Sequence, residues 1–319
     1  MINTSFLPEG SLIYNKENLS YISNLSGLER AMREGKTLEA KVTMCDNELN
    51  LHVDLCGIEG IIPRSECILT QNGEEIKDIA IITRVGKPIS FKVIAIEQQN
   101  DTFYAILSRR AAQIECKSYY LSSLLPGDII DATVTHLDNF GAFVDIGCGN
   151  VSLLSIDCIS ISRISHPSDR LFVGQKVKVV VKSNDAESGR IYVTLKELLG
   201  TWEENARFFS VGQTVSGIVR SIESYGVFIE LAPNLAGLAE LREDRRAFGD
   251  LKVGSGVSVY IKNIIPEKMK IKLVLIDISE ESPTPKPIQY FIDTSNTTHL
   301  DAWQYSPKYC TKTVETVFY

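Results

Sequence analysis

The feature that most constrains this chain is that it repeats itself. "GDIIDATVTHLDNFGAFVDI", from Gly127, is matched by "GQTVSGIVRSIESYGVFIEL", from Gly212. Further along each copy, "VGQKVKVVVKSNDAESGRIYVTL" is matched by "VGSGVSVYIKNIIPEKMKIKLVL". A third, weaker copy starts at Gly35 and runs through "GKTLEAKV", "LNLHVDL", "CGIEGIIPRSE" and "VGKPISFKVIAIEQQNDTFYAILSRR". The interval of roughly 90 residues exceeds that of solenoid and propeller units, which recur every 20–50 residues. Tandem domains at 35–110, 125–198 and 211–277 are therefore expected. An N-terminal extension with a short helix (1–34) would precede them, and a Pro-containing linker with an aromatic tail (278–319) would follow.

Within each copy, short alternating runs rich in β-branched residues, broken by Gly or Asn-Asp, read as five strands. Five strands that must hide their edges in so small a domain predict a closed barrel, and the OB-fold is the common nucleic-acid-binding kind. The fold class is thus all-β: tandem five-stranded OB-fold barrels with short helical connectors. Two connectors carry capping boxes, Thr201 with Glu204 in "TWEENARFF" and Ser26 with Glu29 in "SGLERAMREG", the latter stopping at Gly35. "SPTPKP" at 282 to 287 reads as a stiff linker. Tyr290, Phe291, Trp303, Tyr305 and Tyr309 make the segment beyond it too aromatic for a solvated tail, so it is expected to dock.

Period two in "NFGAFVDIG" sends Ala142, Val144 and Ile146 to one face and Phe143 and Asp145 to the other. In "YGVFIEL" it separates Val227, Ile229 and Leu231 from Phe228 and Glu230. Each of the two copies thus places a large aromatic on the wet side of a strand. Phe140 and Tyr225 precede these rings by three residues, with Gly141 or Gly226 between to relax the backbone into a turn or bulge and bring both rings to one platform. An aromatic on a rigid strand stacks any base, at roughly 1 to 3 kcal/mol each. Such a site needs little charge, which suits a net charge of -7 and the near balance of acids and bases in every copy.

Other chemistries find little support. His52, His136, His166 and His299 lie in separate segments, and the seven cysteines form no CxxC pair, so neither a metal site nor a disulfide framework is expected. There is no phosphate-binding GxxxxGK[ST] loop, and "GCG" at 147–149 precedes no helix. Asp54, Asp145 and Glu230 recur at equivalent strand positions, which suggests barrel structure before catalysis. No catalytic residue, metal or cofactor is assigned. No apolar run approaches the roughly 18 residues of a membrane span, and no signal peptide is read at the start, so a cytoplasmic location without membrane contact is expected.

With these residues laid out, the second and third copies resemble the S1 RNA-binding domain, the OB-type repeat of ribosomal protein S1 and of several RNA-processing enzymes. The matching features are the glycine start, "FGAFVDI" or "YGVFIEL", "HPSDRLFVGQKVKV" and "GRIYVTLK". The first copy is a degenerate member, and the whole is similar to short three-repeat proteins of this family in Gram-positive bacteria. The resemblance implies RNA contacts from Phe140, Phe143 and Arg190 in the second copy and from Tyr225, Phe228 and Lys270 in the third. It also exposes departures. The family's histidine position holds Ser155 and Glu240, and its acid is matched only by Asp185, one residue out of register. In the first copy the platform positions hold Leu49 and His52, the histidine position Pro63 and the basic position Tyr104.

What the resemblance implies is a non-catalytic protein that binds single-stranded RNA, such as messenger RNA, in translation. Residues 1–121 would meet the small ribosomal subunit. The alternative is a docking scaffold, or an accessory of RNA decay, whose barrels serve as interaction modules.

Overall fold

The computed structural model describes residues 6–70, 75–100, 102–240, 251–279 and 287–319. The proline run at 282–286 lies outside them. Three closed five-stranded barrels follow one another along the chain. The first is built from β1 (Leu38–Cys45), β2 (Leu51–Leu55), β3 (Ile58–Ile62), β4 (Pro88–Gln99) and β5 (Thr102–Ser108). The second holds β6 (Ile129–Asp138), β7 (Gly141–Gly147), β8 (Asn150–Ser155), β9 (Lys176–Asp185) and β10 (Arg190–Thr194). The third holds β11 (Thr214–Glu223), β12 (Gly226–Ala232), β13 (Leu235–Glu240), β14 (Gly256–Ile265) and β15 (Lys270–Ile278).

In each barrel the first three strands form an antiparallel meander, and the last strand closes the ring by pairing parallel to the third and antiparallel to the fourth. The alternation read from sequence fills the interiors. Val144 and Ile146, Val227 and Ile229, and Leu51, Val53 and Leu55 are all buried.

Helices serve as connectors: α1 (Lys16–Ile22), α2 (Leu25–Glu34), α3 (Asp78–Ile82), α4 (Arg109–Ser123) and α5 (Trp202–Ala206). Thr201 and Glu204 form the expected capping box at α5. At α2 the cap is instead Asn24, whose side chain accepts from Gly27 N at 2.8 Å, so Ser26 is already helical. The helix ends, as expected, at Gly35 in the left-handed conformation.

Both chain ends are woven into the barrels. Phe6 sits in the second barrel's core, and its carbonyl accepts from Tyr120 Oη. Tyr290, Ile292 and Leu300 pack on that same core, whereas Trp303 and Tyr305 are buried in the third. Backbone bonds fix the tail to the second barrel, Ile129 N donating to Thr298 O at 2.8 Å and Leu300 N to Gly127 O at 2.9 Å. Tyr305 Oη donates to Asn234 O at 2.7 Å, and the short strands β16 (Ala302–Gln304) and β17 (Glu315–Val317) pair with one another. The aromatic tail spans two barrels.

The N-terminal segment is a strap between the first two barrels. Glu9 N donates to Asp145 Oδ2 at 2.7 Å, while its carboxylate pairs with Arg109 at 2.6 Å. One turn on, Gly10 N and Leu12 N donate to Glu39 Oε2 at 3.1 and 2.8 Å, and Ser90 Oγ donates to Glu39 Oε1 at 3.2 Å. Burial pushes the Glu39 carboxyl up from 4.5 to about 7, outweighing these donors. A folded state that holds this proton more tightly than the unfolded chain gains stability that is fully present below pH 4.5 and lost as pH rises through about 7. Glu39→Gln mimics the protonated acid and keeps the acceptor for both amides. The variant should match the wild type near pH 4.5 and exceed it above pH 7, by about 3 kcal/mol if the full shift is realised. Thermal unfolding of both proteins across that range measures it, and a constant difference would show that Glu39 does not titrate there.

Candidate nucleic-acid interface

On the second barrel Phe140 occupies the turn between β6 and β7, and Phe143 stands three residues on, facing outward from β7. Their ring centroids are 5.7 Å apart at 88°, an edge-to-face pair. His136 stacks on Phe143 at 6.1 Å and 26°.

The local cause is not the backbone freedom expected of Gly141, whose φ is not left-handed. A Cβ there would meet Leu154 O at 2.5 Å and Ser155 Cα at 2.9 Å, so the glycine lets β8 lie against the turn. Ile156 N donates to Phe140 O at 3.0 Å and holds that approach. The register shift falls in the partner strand, between Val134 and His136, and brings His136 opposite Phe143. The intervening Thr135 seals it, its Oγ1 donating to Phe143 O at 3.0 Å.

Arg190 begins β10 and is exposed opposite Asp185. Asp185 accepts from Ser188 Oγ at 2.5 Å and from the Glu187 and Ser188 amides, which hold its carboxyl below its usual range. Its charge is therefore spent on the turn. A second cation arrives from the interdomain helix α4: Lys117 Nζ would lie 3.1 Å from a Cβ at Gly189, immediately before Arg190. Lys117 carries no strand or motif signal; only the packing of α4 along the β9–β10 turn reveals it.

The third barrel repeats the arrangement. Tyr225 and Phe228 stand 6.2 Å apart at 88°, and a Cβ on Gly226 would meet Ala239 O at 2.7 Å. Lys270 is exposed at the start of β15, but Lys272 is the lysine in register with Phe228, through Leu238. Lys272 Nζ lies 3.5 Å from Glu240 Oε1, so the acid at the histidine position is partly offset.

The first barrel has lost the platform. Leu49 packs toward the core. His52 is held between Glu59 at 2.8 Å and Asp46 at 3.2 Å; burial opposes its charge, and the two carboxylates raise its pKa nonetheless. Tyr104 donates to Glu97.

Two acids assigned by alternation to the wet side are buried instead. Asp145 and Glu230 do lie on the outer face, at 3% and 5% exposure, but neighbouring segments cover them. Asp145 accepts from the amides of Glu9, Gly147 and Gly149 beside Arg109. Glu230 accepts from Arg220 Nε at 2.6 Å and from Arg170 of the second barrel. The equivalent Asp54 is exposed and accepts from Gly57 N at 2.8 Å.

The remaining candidates serve local structure. His166 Nδ1 accepts from Ser168 N, and His299 pairs with Asp128 at 2.7 Å. Cys148 and Gly149 supply the positive φ values of the β7–β8 turn. The seven cysteines are free. Among the described residues no cluster of three side chains could hold a metal ion, and no helix is long and apolar enough to cross a membrane.

The family model described as the S1 RNA binding domain matches residues 32–110 and 124–196. The small ribosomal subunit protein bS1 of Staphylococcus aureus (strain COL) is 32% identical over 274 residues, which cover 83% of this chain and 67% of that one. A bS1 homolog from Bacillus cereus is 30% identical over 286 residues, covering 86% and 72%. A multidomain protein with nucleic acid binding domains from Streptococcus pneumoniae aligns over 77% of this chain and 75% of its own, with 14% identity and a TM-score of 0.25.

Proposed function

This chain belongs to the S1 RNA-binding domain family, and from that premise we propose that it is a non-catalytic protein of the cytoplasm that holds single-stranded RNA on its second and third barrels. Its place is in translation, on messenger RNA at the small ribosomal subunit. The observation that carries this reading is the recurrence, on two barrels, of an edge-on aromatic pair with a basic residue at the start of the last strand. Rings set on rigid strands stack bases without regard to sequence, which suits a protein that meets many messages.

The first barrel takes a different part. Its platform is filled by Leu49 and by a His52 already committed to two carboxylates, so residues 1–121 dock the small subunit while the later barrels hold RNA. Because Phe6 and the tail complete the second and third cores, the division is best tested in the full chain. A variant with both platforms disabled should still co-sediment with small subunits yet fail to retain free RNA on a filter. Loss of both activities together would refute the division of labour.

Stacking also sets the salt response. Single strands show a slope of about -0.7 per phosphate contact, so with few cations at the site log affinity should fall against log salt no more steeply than about -3. A titration slope of about -6 or steeper would identify a basic channel as the main contact.

A further inference from the structure

On the second barrel the cross-strand register continues the platform beyond the residues so far named. His136 pairs with Phe143, Phe143 with Leu153, and Leu153 with Tyr192 on the parallel strand β10. Side chains paired across strands share a face, and the flanking residues Leu154, Ile191 and Val193 point into the core. One outward row therefore crosses four strands. Tyr192 is half-buried in it, two residues from Arg190 on the same face, and Leu153 forms an apolar floor between the two rings.

Neighbouring strands lie roughly 4.8 Å apart, which puts Tyr192 roughly 10 Å from Phe143. That is too far for the two rings to hold one base between them. The row is peculiar to this barrel, since the position of Tyr192 is taken by Lys272 in the third and by Ile106 in the first.

We infer that Tyr192 is a third stacking position, which receives a further base of the same RNA strand after it has crossed Phe140 and Phe143. Its occupant is a single-stranded nucleic-acid base, because the ring is continuous with the aromatic pair through Leu153 and is flanked by Arg190, with Lys117 beside it, for the adjoining phosphate. The inference rests on the RNA-binding reading of the second barrel and gives that barrel a longer footprint than the third.

The test measures the affinity of the full chain for a short oligoadenylate. Tyr192→Ala should weaken binding about 5- to 150-fold, the effect of losing one stacked base. Tyr192→Phe should bind like the wild type, and Tyr192→Leu, which keeps apolar volume without a ring, should follow the alanine variant. Phe143→Ala is measured alongside. If Tyr192→Ala and Tyr192→Leu bind normally while Phe143→Ala does not, the third position is refuted and the platform stands. If Phe143→Ala also binds normally, the RNA-binding reading of this barrel falls instead. A Tyr192→Phe variant as weak as the alanine one would point to the hydroxyl and overturn stacking.

Discussion

Phe143→Ala combined with Phe228→Ala is expected to weaken single-stranded RNA binding by about 2 to 6 kcal/mol, one stacked base for each barrel. In affinity this is a loss of about thirtyfold to twenty-thousandfold. Neither ring belongs to a barrel core: the interior on either side is filled by Val144 and Ala142, and by Val227 and Ile229. Truncation removes the edge-on contacts with Phe140 and Tyr225, worth about 0.5–1.5 kcal/mol each. The double variant should therefore keep the β circular-dichroism spectrum of the parent. An unfolded double variant would assign the rings to the core and remove the basis for a platform. Unchanged affinity in a folded one would show that RNA, if bound, lies elsewhere.

Glu230→Ala should act on the fold, not on the platform. Glu230 accepts from Arg170 and Arg220, and Arg220 also reaches Asp169 at 3.0 Å. Both arginines are 8% exposed, and Arg170 Nε has no partner. Burial opposes the Arg170 charge, and Glu230 is the main group that sustains it. Without that carboxylate two guanidinium groups face one another with only Asp169 to balance them. Stranding buried charge in this way costs about 3–5 kcal/mol. The readout is favourable, because Trp202 and Trp303, the two tryptophans of the chain, are both buried in the third barrel's cluster. Denaturant unfolding followed by tryptophan fluorescence should show a lower midpoint and an unfolding free energy smaller by that amount. A shift below about 1 kcal/mol, the worth of an exposed pair, would show the network to be solvated.

Much of this protein is legible in its sequence because the relevant interactions are local or periodic. The recurrence at Gly127 and Gly212 marks tandem domains, and the alternation in "GAFVDI" and "GVFIEL" separates core from outer face, since successive side chains of a strand point to opposite sides. The same alternation places Phe143 and Phe228 outward, where they stand. It tells which face a side chain takes, however, and not what lies on that face. Asp145 and Glu230 were on the predicted face, yet they are buried, because an arginine and a neighbouring segment distant in sequence settle on them. Tyr192 and Lys272 come into line with the rings only through the parallel pairing of third and fifth strands, a contact with no signature in a local window. Phe6, Trp303 and Tyr305 look like residues of the two ends until the fold places them in barrel cores. By itself the sequence determined the number of barrels, their closure and the outward rings. Only the tertiary structure decided which charges are buried and which side chains continue the row, for burial and cross-strand register depend on chain segments far apart in sequence.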